Sequence, residues 1–123
     1  SGGTFQVPSG RPTVLSFVDL CPSCIPDTRK IGALQQRFEG LDVLAIASDP
    51  SADQVRLEEF MRQAGSPAFE LALDPDSTLT QRFDAFSMGA NVTIVDGSGR
   101  ITYRGPVDVE SMSAALIEAG ARE

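Results

Sequence analysis

Cys21 and Cys24 are the two cysteines of a 123-residue chain, and only Pro22 and Ser23 separate them. A dithiol at this spacing can close on itself or open to attack another disulfide, and the thiolate is the attacking species. One of the sulfurs must therefore lie where negative charge is favoured. The start of a helix is such a place, with unpaired backbone N–H groups and the positive end of the dipole. The sequence offers that frame. Val14 to Val18 is an apolar run of buried-strand type before the motif, and Ile31, Leu34, Phe38 and Leu41 mark one helical face after it. Cys21 then reads as the exposed nucleophile, and Cys24, about one helical turn on and more enclosed, as the resolving thiol.

Composition narrows what such a pair belongs to. With 41% hydrophobic and 22% charged residues, 123 residues make one domain whose core closes without a disulfide staple. Residues 1–12 read as a lead segment and 13–123 as the folded domain. No secretion or lipid-attachment signal is legible in that lead. A formal net charge of −7, with ten Lys and Arg, argues against nucleic acid or an anionic membrane as partner. No apolar run approaches the roughly 18 residues of a membrane span, so no membrane contact is expected of this fragment. Histidine is absent, and two thiolates fall short of the four ligands of a structural zinc, so neither metal nor other cofactor is expected. A monomer that meets protein thiols or disulfides, and a redox-partner protein, fits these bounds.

The elements around the motif follow from periodicity and punctuation. Gln6 to Pro12 is turn chemistry that leads into a central strand, Thr13 to Val18. The next helix starts at the motif with Pro22 in its first turn, and is distorted or restarts at Pro26 with Asp27 or Thr28 capping. It runs to Phe38 and stops at Gly40. Asp42 to Ala47 is a second strand, parallel to the first. A second helix, capped by Asp49 or by Ser51 with Gln54, buries Leu57, Phe60, Met61 and Ala64 and ends at Gly65. Phe69 to Leu73 reads as a short or edge strand. After the Asp74-Pro75-Asp76 turn, a brief helix capped by Asp76 or Ser77 has Leu79, Phe83 and Phe86 on one face. Val92 to Val95 and Ile101 to Tyr103 make a hairpin around Asp96-Gly97. Asp108 caps a last helix with Val109, Met112 and Leu116 inward, ended by Gly120. The class is α/β, a central mixed β-sheet flanked by helices.

This order resembles the thioredoxin-like superfamily, and within it the TlpA/ResA type of extracytoplasmic thiol–disulfide oxidoreductases. The resemblance runs from about Thr13 to Gly120. Beyond the cysteines it rests on Ile46-Ala47-Ser48-Asp49, on the Phe60 helix, on Leu73-Asp74-Pro75-Asp76 and on the stretch from Ile94 to Gly105. It implies a thioredoxin-like fold, redox-active Cys21 and Cys24, a role in electron transport and an extracytoplasmic location. Protein cysteines, including those of apocytochromes, are the substrates it implies. Pro22, Ser23, Gly89 and Ala90 are the substrate-binding positions, the last two opposite the cysteines.

Four positions depart from the pattern. Leu20 stands where the family has tryptophan, and Leu15 where thioredoxin has a buried aspartate six residues before the first cysteine. Arg29 replaces a helix proline. No proline lies between Pro75 and Pro106, so Ala90, or Gly89 in the alternative register, takes the place of the family's cis-proline. A non-proline cis bond costs about 2.5–4 kcal/mol, so that loop is trans or held under strain, and weakened activity is expected.

Three functions compete. Thiol–disulfide exchange is the first. A peroxiredoxin-like thiol peroxidase is the second, but Val18 and Val14 stand where peroxiredoxins have threonine and proline. The third is a non-catalytic domain that holds a partner near Met88 and Ala90 or a metal between thiolates. With neither histidine nor lysine between the cysteines and Asp19 beside them, the motif leans towards a reducing poise.

Overall fold

Thr13–Val18 alternates β-branched or bulky apolar side chains across both sides of the backbone, and it forms a strand, β1, that is buried at every residue. The computed structural model describes residues 10–18, 20, 24–47, 53–65, 68–74, 76, 78–82 and 91–123. In it β1 is the middle strand of a five-stranded mixed sheet of order β3-β2-β1-β4-β5. β2 (Asp42–Ala47) runs parallel to β1, and β3 (Glu70–Leu73) runs parallel to β2 at one edge. β4 (Val92–Val95) is antiparallel to β1, and β5 (Ile101–Gly105) is antiparallel to β4. Parallel neighbours require crossovers, here α1 (Ile25–Arg37) and α2 (Gln54–Gln63). The short α3 (Thr78–Arg82) follows β3, and α4 (Val109–Glu118) follows the hairpin. The mixed sheet flanked by helices expected of the sequence is the architecture found.

Alternation along β1 divides the core. Val14 packs with Ile31, Leu34 and Phe38 of the α1 stretch and with Met112 and Leu116 of α4. Val18 packs with Ala45, Ala47 and the α2 residues Leu57, Phe60 and Met61. Leu15 and Phe17 point the other way, against Leu44 and Ile46. Each large aliphatic or aromatic side chain so buried contributes about 1.5–3 kcal/mol of transfer free energy.

Local chemistry departs from the sequence reading at several caps. α1 begins at Ile25 with Cys24 as its N-cap, so Pro26 falls in the first turn, where a missing N–H costs nothing. The expected restart at Asp27 or Thr28 does not occur. α2 begins at Gln54, capped by Asp53, whose carboxylate accepts from the Arg56 N–H at 2.8 Å. Asp49 and Ser51 lie outside the described residues. Asp74, only 5% exposed, accepts from both the N–H and the hydroxyl of Thr80 at 2.8 Å, and thereby ties β3 to α3. Ser77 and the side chains of Leu79, Phe83 and Phe86 are outside the described set. Val109, the first residue of α4, is 37% exposed rather than inward, while Met112 and Leu116 are fully buried.

The hairpin turn is held by one carboxylate. Asp96 accepts from the Ser98 hydroxyl at 2.7 Å, the Arg100 N–H at 2.9 Å and the Ser98 N–H at 3.0 Å. The Gly99 N–H closes back on the Asp96 carbonyl at 3.0 Å, with Gly99 at φ +98°. That conformation suits glycine. Gly97 serves a different purpose: a Cβ there would lie 2.8 Å from the backbone carbon and oxygen of Gly10. The Ser98 hydroxyl and then the Arg100 N–H hold the Asp96 carboxyl far below the usual carboxylate range. A depressed folded-state pKa contributes stability above the unfolded value of about 3.9, and that contribution fades as pH falls through the folded value. Asp96→Ala should therefore lower the thermal midpoint clearly at neutral pH and progressively less as acid protonates the wild type. A gap between the two proteins that stays constant from neutral pH to about pH 2 would show that the turn does not depend on the charge.

Candidate active site

β1 ends at Val18 and α1 begins at Ile25, so the dithiol stretch occupies the link from the middle of the sheet to the helix. Cys24 is half-buried, disulfide-bonded, and caps α1 with φ −83° and ψ −14°. With Leu20 and Ile25 it rests on the cluster of Val18, Ala45, Ala47, Leu57, Phe60 and Met61. Thr28, 1% exposed, donates its hydroxyl to the Cys24 carbonyl at 3.0 Å. That bond ties the cysteine's backbone to the first turn of α1.

Beneath Cys24 lies a cavity of about 30 Å³. Its polar walls are Ser16 of β1, Asp27 and Thr28 of α1, and Asn91 at the start of β4. A space of that size holds one water, which needs two or more polar partners, and these walls supply them. Asp27 also reaches solvent, with its side chain 43% exposed and Lys30 3.9 Å away. Leu15, six residues before Cys21, belongs to the opposite core layer with Phe17 and Leu44. The β1 side chain layer facing α1 therefore offers Ser16, not residue 15, to this cavity.

Of the residues expected to do chemistry, Cys24 is placed by the structure, whereas Cys21, Pro22, Ser23, Gly89 and Ala90 lie outside the described residues. Their nearest described chain neighbours are Leu20, Cys24 and Asn91. The Asn91 carbonyl accepts from the Phe17 N–H at 2.9 Å, which carries the β1–β4 pairing up to the end of β1 where the dithiol link begins. Sequence reading missed Asp27 and Asn91 as neighbours of Cys24. For Asp27 a signal existed: positions three apart share a helix face.

Leu20 is the one non-glycine residue with positive φ among the described residues, at +60°. A Cβ in the left-handed region costs roughly 1–2 kcal/mol. Burial of its side chain on the Val18 and Phe60 cluster offsets that cost. Leu20, Ile25 and Phe60, with Val55, Arg56, Glu59 and Gln63, line an open groove of about 390 Å³ beside the motif.

A central strand that runs into a helix capped by a bonded cysteine, in a mixed sheet of this order, defines a thioredoxin-like protein. The chain belongs to the AhpC/TSA family, whose model matches residues 4–104. No curated protein sequence matches it. Among solved structures it is similar to a thioredoxin-like protein from Aeropyrum pernix, at 19% identity and a TM-score of 0.76, over 89% of this chain and 78% of that one. It is also similar to a secreted Mycobacterium tuberculosis disulfide oxidoreductase homologous to E. coli DsbE, at 17% identity and a TM-score of 0.67, over 89% and 82%. StoA from Bacillus subtilis matches at 19% identity and a TM-score of 0.65, over 86% and 82%. At these identities the likeness is one of fold, and that fold is the thioredoxin-like one.

Phe60, 5% exposed beneath Leu20, Cys24 and Ile25, is the largest single support of this region. Phe60→Ala should cost about 3–5 kcal/mol, read as a lower urea midpoint. A loss under about 1 kcal/mol would mean that the cluster does not hold the site in place.

Proposed function

We propose that the protein is a thiol–disulfide oxidoreductase that exchanges the Cys21–Cys24 pair with cysteines of protein partners. The observation that carries this reading is Cys24 itself, bonded, half-buried at the head of α1 and set over a water-sized polar cavity. Cys21 is the other cysteine of the chain and hence its partner in this reading. In the reducing direction the Cys21 thiolate attacks a partner disulfide, R–S–S–R′, and expels R′–S⁻, which takes up a proton. The Cys24 thiol then loses its proton, attacks the Cys21 sulfur and expels R–S⁻. Two electrons pass from the dithiol to the partner, the motif closes as a disulfide, and two thiols leave.

Asp27 takes the Cys24 proton in this reading, which is supported by the small cavity that both line, with room for one water. It also sits in the first turn of α1, where a carboxylate offsets part of the positive dipole end that would favour a thiolate. That supports a reducing poise rather than a strongly oxidising one. Secretion of the Mycobacterium tuberculosis neighbour supports an extracytoplasmic location, and among the described residues no helix is long and apolar enough to cross a membrane. Substrate binding is assigned to Pro22, Ser23, Gly89 and Ala90 on the family resemblance.

Alkylation of the reduced protein should label Cys21 first, and Cys24→Ser should accumulate mixed disulfides through Cys21. Labelling of Cys24 first would reverse the roles. Insulin disulfide should be reduced catalytically, whereas consumption of hydrogen peroxide at a comparable rate would favour the peroxidase reading that AhpC/TSA membership keeps in view.

Asp27→Asn should slow release of a preformed mixed disulfide about 10²-fold near neutral pH, the low end of what positioned proton transfer contributes. The rate should recover as pH rises towards the unperturbed thiol value of about 8.5, where ionisation no longer needs a base. A uniform loss at all pH values would make Asp27 a structural residue instead.

A further inference from the structure

We infer that Tyr103 is a positioning residue for Cys24 that acts through Val107: by holding down the connection from β5 to α4, it keeps bulk water out of the cavity on which Cys24 rests. The inference rests on the exchange reading of the cysteine pair and adds a gate to it. Val107 is the wall that carries the argument. The other walls belong to β1, to the head of α1 and to Asn91 just before β4, whereas Val107 arrives from the connection after the edge strand β5. It closes the cavity only while that connection stays down.

Both sides of Val107 are fixed. On one, the Tyr103 hydroxyl donates to the Pro106 carbonyl at 2.6 Å, and on the other Asp108 caps α4 by accepting from the Ser111 N–H at 3.2 Å. Gly105 gives the tyrosine ring its place: a Cβ there would lie 2.8 Å from the Tyr103 hydroxyl oxygen and 3.0 Å from the ring carbon that bears it. Tyr103 and Val107 both pack against the buried cluster of Val14, Ile94 and Met112. Burial, and then the nearby Asp108 charge, raise the Tyr103 phenol above its ordinary value, so it stays a donor through the range in which a thiol ionises. What the roof encloses is small and partly polar. Ser16, 2% exposed, lies on the same side of β1 as Val14 and Val18, and a buried hydroxyl there calls for a partner, which one water in the cavity supplies. A thiolate that faces one held water is less well solvated than one that faces bulk solvent. The closed roof therefore holds Cys24 neutral until a base takes its proton.

Cys21→Ser leaves Cys24 as the one thiol of the chain, and the pH dependence of its alkylation by iodoacetamide then reads its ionisation. Adding Tyr103→Phe should lower that midpoint by about one pH unit and speed alkylation at neutral pH about tenfold, because the thiolate is the form that reacts. Gly105→Ala, which displaces the ring, should move the midpoint the same way. Asp96→Ala loosens the other end of β5 and should leave it in place. In the intact dithiol, Tyr103→Phe should also shrink the penalty of Asp27→Asn on release of a mixed disulfide, since a better solvated thiol has less need of the base. A lower urea midpoint in Tyr103→Phe with the Cys24 titration unmoved would make the tyrosine a structural residue and overturn the inference, and an equal shift in Asp96→Ala would do the same. If the titration moves but the wild-type dithiol does not exchange with glutathione disulfide, the exchange reading is the part that fails, and the role of Tyr103 in it fails with it.

Discussion

The burial of β1 on both faces and its pairing on both edges is the constraint from which the site follows. β2 takes one edge along its whole length, β4 takes the other, and the Asn91 carbonyl extends that pairing to Phe17. Once Val18 has packed against Ala45 and Ala47, the chain must leave the sheet and return as α1 with Ile31 and Leu34 on the same layer as Val14. A short link between two such elements has few solutions. The positive φ of Leu20 and the helical backbone of Cys24 are the described parts of the solution adopted here. Cys24 is thus held by core packing at either end of the link, which is why a cap with no side-chain bond suffices for α1.

Periodic burial was legible in the sequence because it is repeated. Val14, Leu57, Met61, Met112 and Leu116 each have partners at the next turn or the next alternate residue, and all are buried. Caps were less legible because several residues of the right type stand side by side. Asp49, Ser51 and Asp53 can all bond an N–H, and which does so depends on where α2 must begin to lay Leu57 on Ala45 and Ala47. Pro26 misled for a related reason: its meaning reverses between the first helical turn and the second, and the start of α1 is set by the core. Gly97 shows the limit most clearly. Its role is a close approach to Gly10, a contact between distant parts of the chain that no local pattern announces.

Among the described residues the ion pairs lie largely on the exposed surface of a chain of net charge −7. Arg62–Glu59 is an exposed pair on a helix surface, and Lys30–Asp27 is another, and such pairs contribute about 0–1 kcal/mol. Asp74 and Asp96 differ because each uses its carboxylate on backbone N–H groups and a hydroxyl of its own connection. One fixes the step from β3 to α3 and the other fixes the β4–β5 turn. Acidic residues are thus both the solvated surface of the chain and the fasteners of two of its connections.

The position of the acid relative to Cys24 has a mechanistic consequence that follows from sheet geometry. Successive side chains of a strand point to opposite faces, so a carboxylate at Leu15 would enter the layer of Phe17, Leu44 and Ile46, away from Cys24. On the near face, Ser16 is 2% exposed, and a charge introduced there would be desolvated. A helix offers another route. Three residues beyond Cys24 on α1, Asp27 lines the same small cavity, yet its side chain remains 43% exposed. In the proposed reaction a proton passed to it from the cavity side would leave from the solvent side, while the negative charge passes to the sulfur. In that proposal an acid on α1 couples Cys24 to solvent through a single residue, and β1 stays apolar where the core needs it to be.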